Sequence, residues 1–452
     1  MELKGIKALI VGAGKSGVSA VGLLMKKGAD IVLYDASETL SEEEVLAKLP
    51  KDYTGRVVLG EMTGELKNWA ELLILSPGVP TDLNYVNDMR DRGVTIWGEI
   101  ELAYQFGKGR MVAITGTNGK TTTTALTGEI MRTFYDSVYV VGNIGNPYAD
   151  AVLATTEESV TVAEMSSFQL ETIDSYRPDV SAILNITPDH LNRHHTMENY
   201  IAAKANVLKN QTEKDVCILN YEDAELRKLG KNIRPRVIWF SSARKLTDGM
   251  YLDGDVITYA HDGEEIALVN IAELNIIGRH NYENAMAAAA AGLALGVPAE
   301  CVRKALRSFV AVEHRIEYVA TIDNVKYYND SKGTNPDASI QAVKAMTAKT
   351  LLIGGGYDKG SEYDEWIESF EGKIKYLVLM GQTREKIAET ARRHGFENIV
   401  MVESMEEAVA FCHDHAEPGE CVLLSPCCAS WGMFKNYEER GRIFKDLVRR
   451  YQ

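Results

Sequence analysis

Cysteine is scarce in this chain, with six residues in 452, and none of them (Cys217, Cys301, Cys412, Cys421, Cys427, Cys428) belongs to a CxxC pair. That spacing excludes a disulfide-stapled scaffold and a cysteine-rich metal ribbon, and reduced thiols in the cytoplasm fit best. Long apolar runs are missing too: MELKGIKALIVGAG breaks at glycine after a few residues and carries no signal-peptide cleavage pattern. The expectation is a cytoplasmic protein with no membrane partner. Positive charge is in deficit, 49 Lys and Arg against 64 Asp and Glu, a net −15. Such a balance disfavours nucleic acid and anionic lipid as partners, so any phosphate must be met by a local site. Low-complexity tracts and repeats of fixed period are absent.

What is present is a globular composition, 45% hydrophobic and 25% charged, in a chain long enough for about three domains. Short β-branched runs alternate with helical stretches: IKALIVG, IVLYD, MVAIT, SVTVAEM, VSAILNI, TLLIGGG, YLVLM and CVLLSP. Alternation of this kind specifies an α/β fold with parallel sheets and crossover helices. Glycine-marked strand ends recur at Gly12, Gly116 and Gly354. We therefore expect a Rossmann-like N-terminal domain (1–98), a P-loop ATPase-type central domain (99–311) and a Rossmann-like C-terminal domain (312–452). The segment Asn281 to Gly296, with alanines 287–291, reads as a buried, closely packed helix closing the central domain.

The strongest local signal is MVAITGTNGKTTTTAL. A buried strand ends at Gly116, the chain turns through Thr117, Asn118 and Gly119, and a helix opens at Lys120, Thr121 and Thr122. Glycines let backbone amides converge on phosphate oxygens, and the helix N-terminus adds its positive dipole end. Lys120 can reach β and γ oxygens, and Thr121 can ligate Mg²⁺. The loop is shorter than the common P-loop, having two residues between Gly116 and Gly119. The second signal, VGAGKSGVS, is a GxGxxG at Gly12, Gly14 and Gly17 with Asp35 ending the next strand. Such a turn holds a dinucleotide or any nucleotide diphosphate, or it is purely structural. Three classes stay open on these residues: a ligase that energises a nucleotide-borne group with ATP, an NAD-dependent oxidoreductase, and an ATP-driven conformational switch.

Further segments carry a resemblance: TGTNGKTT (115–122), GNIG (142–145), EMSSFQLE (164–171), NITPDH (185–190), YIAAK (200–204), GRHNYENA (278–285), EHRIE (313–317), NDSKGTN (329–335) and SPCCASWGMFKNYEERG (425–441). Together they resemble the Mur ligases of peptidoglycan synthesis. NDSKGTN and FKNYEERG look like the D-glutamate-adding type, and the DNPR motif of the diaminopimelate- or lysine-adding type is missing. The resemblance implies ATP-dependent formation of an amide between UDP-N-acetylmuramoyl-L-alanine and D-glutamate through an acyl phosphate, by a monomer. Another Mur-type ligase with a different amino acid is the nearest alternative.

The resemblance also distributes roles. Lys120, His190 and Lys204 are catalytic, and Lys204 is carbamylated. Thr121, Glu164, His190 and Lys204 hold Mg²⁺. Gly116 to Thr122, Asn143, His280, Asn281, Asn284, Arg315 and Asp330 hold ATP. The UDP substrate lies on Gly12, Gly14, Lys15, Ser16, Gly17, Asp35, Ser76, Pro77, Gly78, Ser166 and Gln169. D-Glutamate meets Lys332, Thr334, Lys359, Ser430, Asn436 and Tyr437. Taken alone, several of these residues have plainer readings: Lys204 as a solvated helix lysine, Asn281 and Asn284 as helix caps, Asp35 as a ribose ligand for a nicotinamide cofactor. His194 and His195 read as exposed loop histidines, and Cys427 and Cys428 as structural thiols.

Overall fold

In the computed structural model, residues 2–310 and 312–452 are described, and the boundary expected at 311 lies outside them. Three sheets are present. The first contains β1 (Lys7–Val11), β2 (Asp30–Asp35), β3 (Arg56–Leu59), β4 (Leu72–Leu75) and β5 (Thr95–Gly98), all parallel in the order β3-β2-β1-β4-β5. Along β1, Ala8 and Ile10 enter one core while Leu9 and Val11 enter another, the period-two signature of a strand covered on both faces. Strand order reverses beside β1, so the turn after it opens at a switch point where such sheets bind ligands.

The second sheet comprises β6 (Arg110–Thr115), β7 (Val138–Gly142), β8 (Val160–Glu164), β9 (Val180–Ile183), β10 (Val216–Asn220), β11 (Arg236–Ser241), β12 (Gly249–Asp253), β13 (Val256–His261) and β14 (Glu264–Asn270). Its order is β14-β13-β12-β11-β10-β9-β6-β8-β7. The third holds β15 (Glu317–Ile322), β16 (Val325–Asn329), β17 (Thr350–Gly354), β18 (Ile374–Leu379), β19 (Ile399–Met401) and β20 (Cys421–Leu424), ordered β15-β16-β20-β17-β18-β19. Every strand run picked out from sequence is a strand.

Neither larger sheet is wholly parallel, in contrast to the expectation. β12 and β13 pair antiparallel, as do β15 and β16. Tight turns decide this locally: Asp323 and Asn324 both adopt positive φ between β15 and β16, the backbone that a two-residue hairpin requires and that Asp and Asn tolerate.

The chain divides into two compact units, Met1–Val269 with Asn284–Leu306, and Asn270–Glu283 with Arg307–Gln452. The first two sheets belong to one unit and the third to the other. The alanine-rich helix runs Arg279–Ala294, and Ala285 through Ala291 are fully buried. No helix among the described residues is long and apolar enough to cross a membrane.

Candidate active site

At the end of β6 the chain takes a conformation that only glycine adopts easily, φ +147° at Gly116 and +83° at Gly119. A Cβ at Gly119 would lie 2.2 Å from Asn284 Oδ1, so the residue must stay bare. NITPDH braces the loop. The Thr117 amide donates to Asn185 O at 3.0 Å, the Asn118 amide to Asn185 Oδ1 at 2.8 Å, and Asn185 Nδ2 donates back to Asn118 O. Lys120, first residue of the helix Lys120–Arg132, folds back so that Nζ donates to the carbonyls of Gly116 (2.9 Å) and Thr117 (2.7 Å). Thr121 and Thr122 are buried behind it, and Asn284 Oδ1 accepts from Thr123 at 3.2 Å.

Beside this loop, β8 delivers Glu164, which is paired in register with Ile114 of β6 and 1% exposed. Its Oε1 accepts from Asn143 Nδ2 at 2.8 Å, whereas its buried Oε2 has no hydrogen-bond partner. A carboxylate oxygen removed from water without a donor is costly, and a cation is the partner that offsets the loss. The residues thus fit a magnesium ion.

Lys204 is 2% exposed, which rules out the solvated reading. Its Nζ donates to Gly116 O at 2.7 Å and lies 4.6 Å from the Tyr200 ring centroid. Burial, and then the nearby charge of Lys120, hold its pKa well below the ordinary lysine range.

His190 adopts a left-handed backbone (φ +53°) as cap of the short helix Leu191–His194, its side chain half exposed and edge-on to Phe168 at 5.0 Å. His194 overturns the expectation of a loop histidine: it is buried, with Nε2 2.9 Å from Ser167 Oγ and Nδ1 3.3 Å from Glu171 Oε1, stacked on Phe168. The helical turn after His190 carries it inward, and partners distant in sequence bury it. His195 is exposed.

The first glycine turn is as tight as the GxGxxG pattern requires. A Cβ at Gly17 would sit 1.9 Å from Gly12 O, and one at Gly12 would sit 2.7 Å from Ser76 Oγ. Asp35 Oδ2 accepts the Ala13 amide at 2.7 Å and Oδ1 the Ser37 amide at 2.9 Å, so its carboxylate shapes the turn. Lys15 donates to the Gly145 carbonyl of GNIG. Ser16 and Pro77 are half-buried, and Gly14 and Gly78 are exposed.

Ser166 and Gln169 form a reciprocal capping box on the helix Ser167–Leu170, so their first duty is local. Sequence reasoning missed Arg193. Its Nη2 donates to Val79 O and to Glu171 Oε2, each at 2.9 Å, and the guanidinium lies over Phe168 at 4.9 Å. The arginine ties the segment after Ser76-Pro77-Gly78 to EMSSFQLE, and nothing in NRHH marks it beforehand.

In the other unit, burial and the charge of Arg315 push His280 down to about 4, and Asn281 Nδ2 donates to Ile277 O at 2.8 Å. The Arg315 Nε is buried with no hydrogen-bond partner. Asp330, 5% exposed, accepts from Ser425 Oγ (2.8 Å) and the Ile316 amide (3.3 Å), yet burial pushes it up to about 7. Arg440, also unforeseen, is buried and donates to Ser331 Oγ, Ser331 O and Cys428 O.

Lys332 lies 5.2 Å from the Tyr437 ring and Lys359 5.3 Å from the Trp431 ring. Ser430 is buried, Thr334 donates its amide to Lys332 O, Asn436 caps the helix Tyr437–Arg449, and the Tyr437 carbonyl accepts from Ser331 Oγ. Cys427 and Cys428 are buried, with thiols pushed up by burial.

Comparison with known proteins finds family matches to three segments of the chain. Residues 6–98 match the family described as Mur ligase MurD-like, N-terminal domain; 114–292 match Mur ligase middle domain; 314–428 match Mur ligase, glutamate ligase domain. A protein of Lachnoclostridium phytofermentans named UDP-N-acetylmuramoylalanine--D-glutamate ligase is 61% identical over 448 residues, covering 99% of each chain. Proteins of the same name from Lachnospira eligens and Clostridioides difficile are 52% and 45% identical, again over 99% of both chains. Among solved structures, UDP-N-acetylmuramate-alanine ligase MurC from Thermotoga maritima aligns with TM-score 0.62 at 20% identity, covering 99% of this chain and 100% of that one. MurF ligase from the same organism, solved with ADP, aligns with TM-score 0.61 at 16% identity, covering 100% and 97%. At these identities the two structures bear on the fold alone.

Proposed function

The chain belongs to the Mur ligase family, and on that premise we propose that it joins D-glutamate to UDP-N-acetylmuramoyl-L-alanine at the expense of ATP. The observation that carries this reading is the 61% identity, over 99% of both chains, to a relative named for that reaction. The substrate's alanyl carboxylate attacks the γ-phosphorus of ATP; the bond to the β–γ bridging oxygen breaks, giving an acyl phosphate and ADP. The D-glutamate amine then adds to the acyl carbon, loses a proton, and expels inorganic phosphate as the amide forms. Phosphoryl transfer needs positive charge around the moving group more than covalent help.

Lys120 supplies that charge by exchanging the carbonyls of Gly116 and Thr117 for phosphate oxygens within reach of its stem. Thr121, Glu164, His190 and Lys204 would hold Mg²⁺, and the lone Glu164 Oε2 supports the assignment. Bound there, the metal would neutralise phosphate charge. Lys204 serves as a carbamate. Carbon dioxide combines with a neutral amine, and a depressed lysine pKa favours that form.

Asn143, His280, Asn281, Asn284, Arg315 and Asp330 are assigned to ATP with the loop 116–122. The turn at Gly12, Gly14, Lys15, Ser16 and Gly17 takes the UDP substrate, with Asp35, Ser76 to Gly78, Ser166 and Gln169. Lys332, Thr334, Lys359, Ser430, Asn436 and Tyr437 take D-glutamate. Residues 1–98, 99–311 and 312–452 are the corresponding domains. The same reading has the protein acting as a cytoplasmic monomer without nucleic acid or membrane, which the net charge of −15 supports for nucleic acid.

The test is release of phosphate from ATP. It should require both UDP-N-acetylmuramoyl-L-alanine and D-glutamate, and L-glutamate should not replace the D isomer. Oxygen-18 in the alanyl carboxylate should appear in the phosphate released. Turnover indifferent to the amino acid's configuration, or unlabelled phosphate, would overturn the proposal.

A further inference from the structure

Trp431 carries an exposed indole, 54% accessible. The neighbouring ring of Tyr357 meets it edge to face at 5.5 Å, and Lys359 Nζ lies 5.3 Å from its centroid. Two backbone bonds stitch the loops that carry these side chains: Tyr357 N donates to Ala429 O at 2.9 Å and Gly355 N to Pro426 O at 2.8 Å. The positions of lysine and ring are therefore set by the same pair of loops.

Among the described residues Lys359 makes no ion pair. Asp358 beside it turns its Oδ1 to the Gly360 amide at 2.8 Å. An ammonium over an aromatic face keeps its hydrogens free for an incoming anion, and tryptophan offers the strongest such face. A lysine already restricted in this way has less rotamer freedom to lose when it grips a carboxylate.

We infer that Trp431, backed by Tyr357, is the platform that holds Lys359 ready for a carboxylate of D-glutamate, which makes Trp431 a positioning residue for that substrate. The inference rests on the proposed reaction. A cation–π contact at an exposed site corresponds to roughly a two- to five-fold change in affinity. Trp431→Leu should accordingly raise KM for D-glutamate by about that factor, with KM for ATP unmoved and kcat changing less than KM. Trp431→Phe keeps a ring and should bring KM most of the way back.

A second reading comes from emission. Of the other four tryptophans, Trp97 and Trp366 are buried and Trp69 and Trp239 are half-buried in the first unit, so a ligand at Lys359 will be reported chiefly by the exposed indole of Trp431. With UDP-N-acetylmuramoyl-L-alanine and a non-hydrolysable ATP analogue present, D-glutamate should shift the tryptophan emission of the parent protein and not that of Trp431→Phe. An unaltered KM in Trp431→Leu, or emission that ignores D-glutamate at concentrations saturating turnover, overturns the platform alone. A parent protein with no D-glutamate-dependent turnover overturns the proposed function and the platform with it.

Discussion

Replacing Asp330 with asparagine should make the protein more stable at alkaline pH while weakening ATP binding, and the size of the gain follows from the carboxylate's surroundings. Asp330 is 5% exposed, and burial raises it from 3.8 to about 7 against the opposing effects of Ser425, Arg315, the Ile316 amide and Arg440. Between those two values the folded protein holds a proton that the unfolded chain has released. The slope of unfolding free energy with pH is then negative. Stability is fully present below pH 3.8 and is lost as pH rises towards 7, at about 1.4 kcal/mol per unit and about 4 kcal/mol in all.

Asparagine cannot ionise and can still accept from Ser425. The stability difference between variant and parent should therefore grow by about 3 kcal/mol from pH 5 to pH 8, since two of the three units fall there, and level off above. Urea denaturation of the full chain at unit steps of pH measures it. A difference independent of pH, or a parent protein that gains stability from this group on going alkaline, would refute the reasoning.

Lys204→Ala should lose most turnover, and added acetate should partly restore it by standing in for the carbamate; an undiminished variant removes Lys204 from the reaction. Glu164→Gln should lower turnover about 100-fold or more, the scale for removing a preorganised charge. It should also abolish the thermal stabilisation that MgCl₂ gives the parent, and a variant still stabilised by magnesium would remove Glu164 from the metal site. Gly17→Ala places a methyl 1.9 Å from Gly12 O and should cost about 1–3 kcal/mol of stability. Equal denaturation midpoints for variant and parent would show that the turn relaxes freely.

Much of the architecture was legible because it is written in local pattern. β6, the turn at Gly116 and the helix from Lys120 stand where strand, glycine and threonine signals put them, and Asp35 ends β2 beside the first glycine turn. The antiparallel pairs were illegible as such: alternation of strand and helix suggests crossovers, and only the two-residue turns at Gly254-Asp255 and Asp323-Asn324 reverse that inference. His194 was misread for a different reason. A histidine between arginine, histidine and threonine looks solvated, and its burial depends on Phe168, Ser167 and Glu171, more than twenty residues away. Arg193 and Arg440 share that dependence. Trp431 was visible within SPCCASWGMFKNYEERG but could not be given a task until Lys359 was seen above its ring.

The carbonyl of Gly116 accepts from two lysines at once, Lys120 at 2.9 Å and Lys204 at 2.7 Å. Two ammonium groups on one oxygen repel, and that repulsion adds to burial in lowering the Lys204 pKa. An arriving polyanion reverses the arrangement: it draws Lys120 away and makes a second positive charge welcome. While Lys204 is uncarbamylated, then, a bound polyanion strengthens that lysine's hold on its proton, so phosphate and proton favour each other on the same loop.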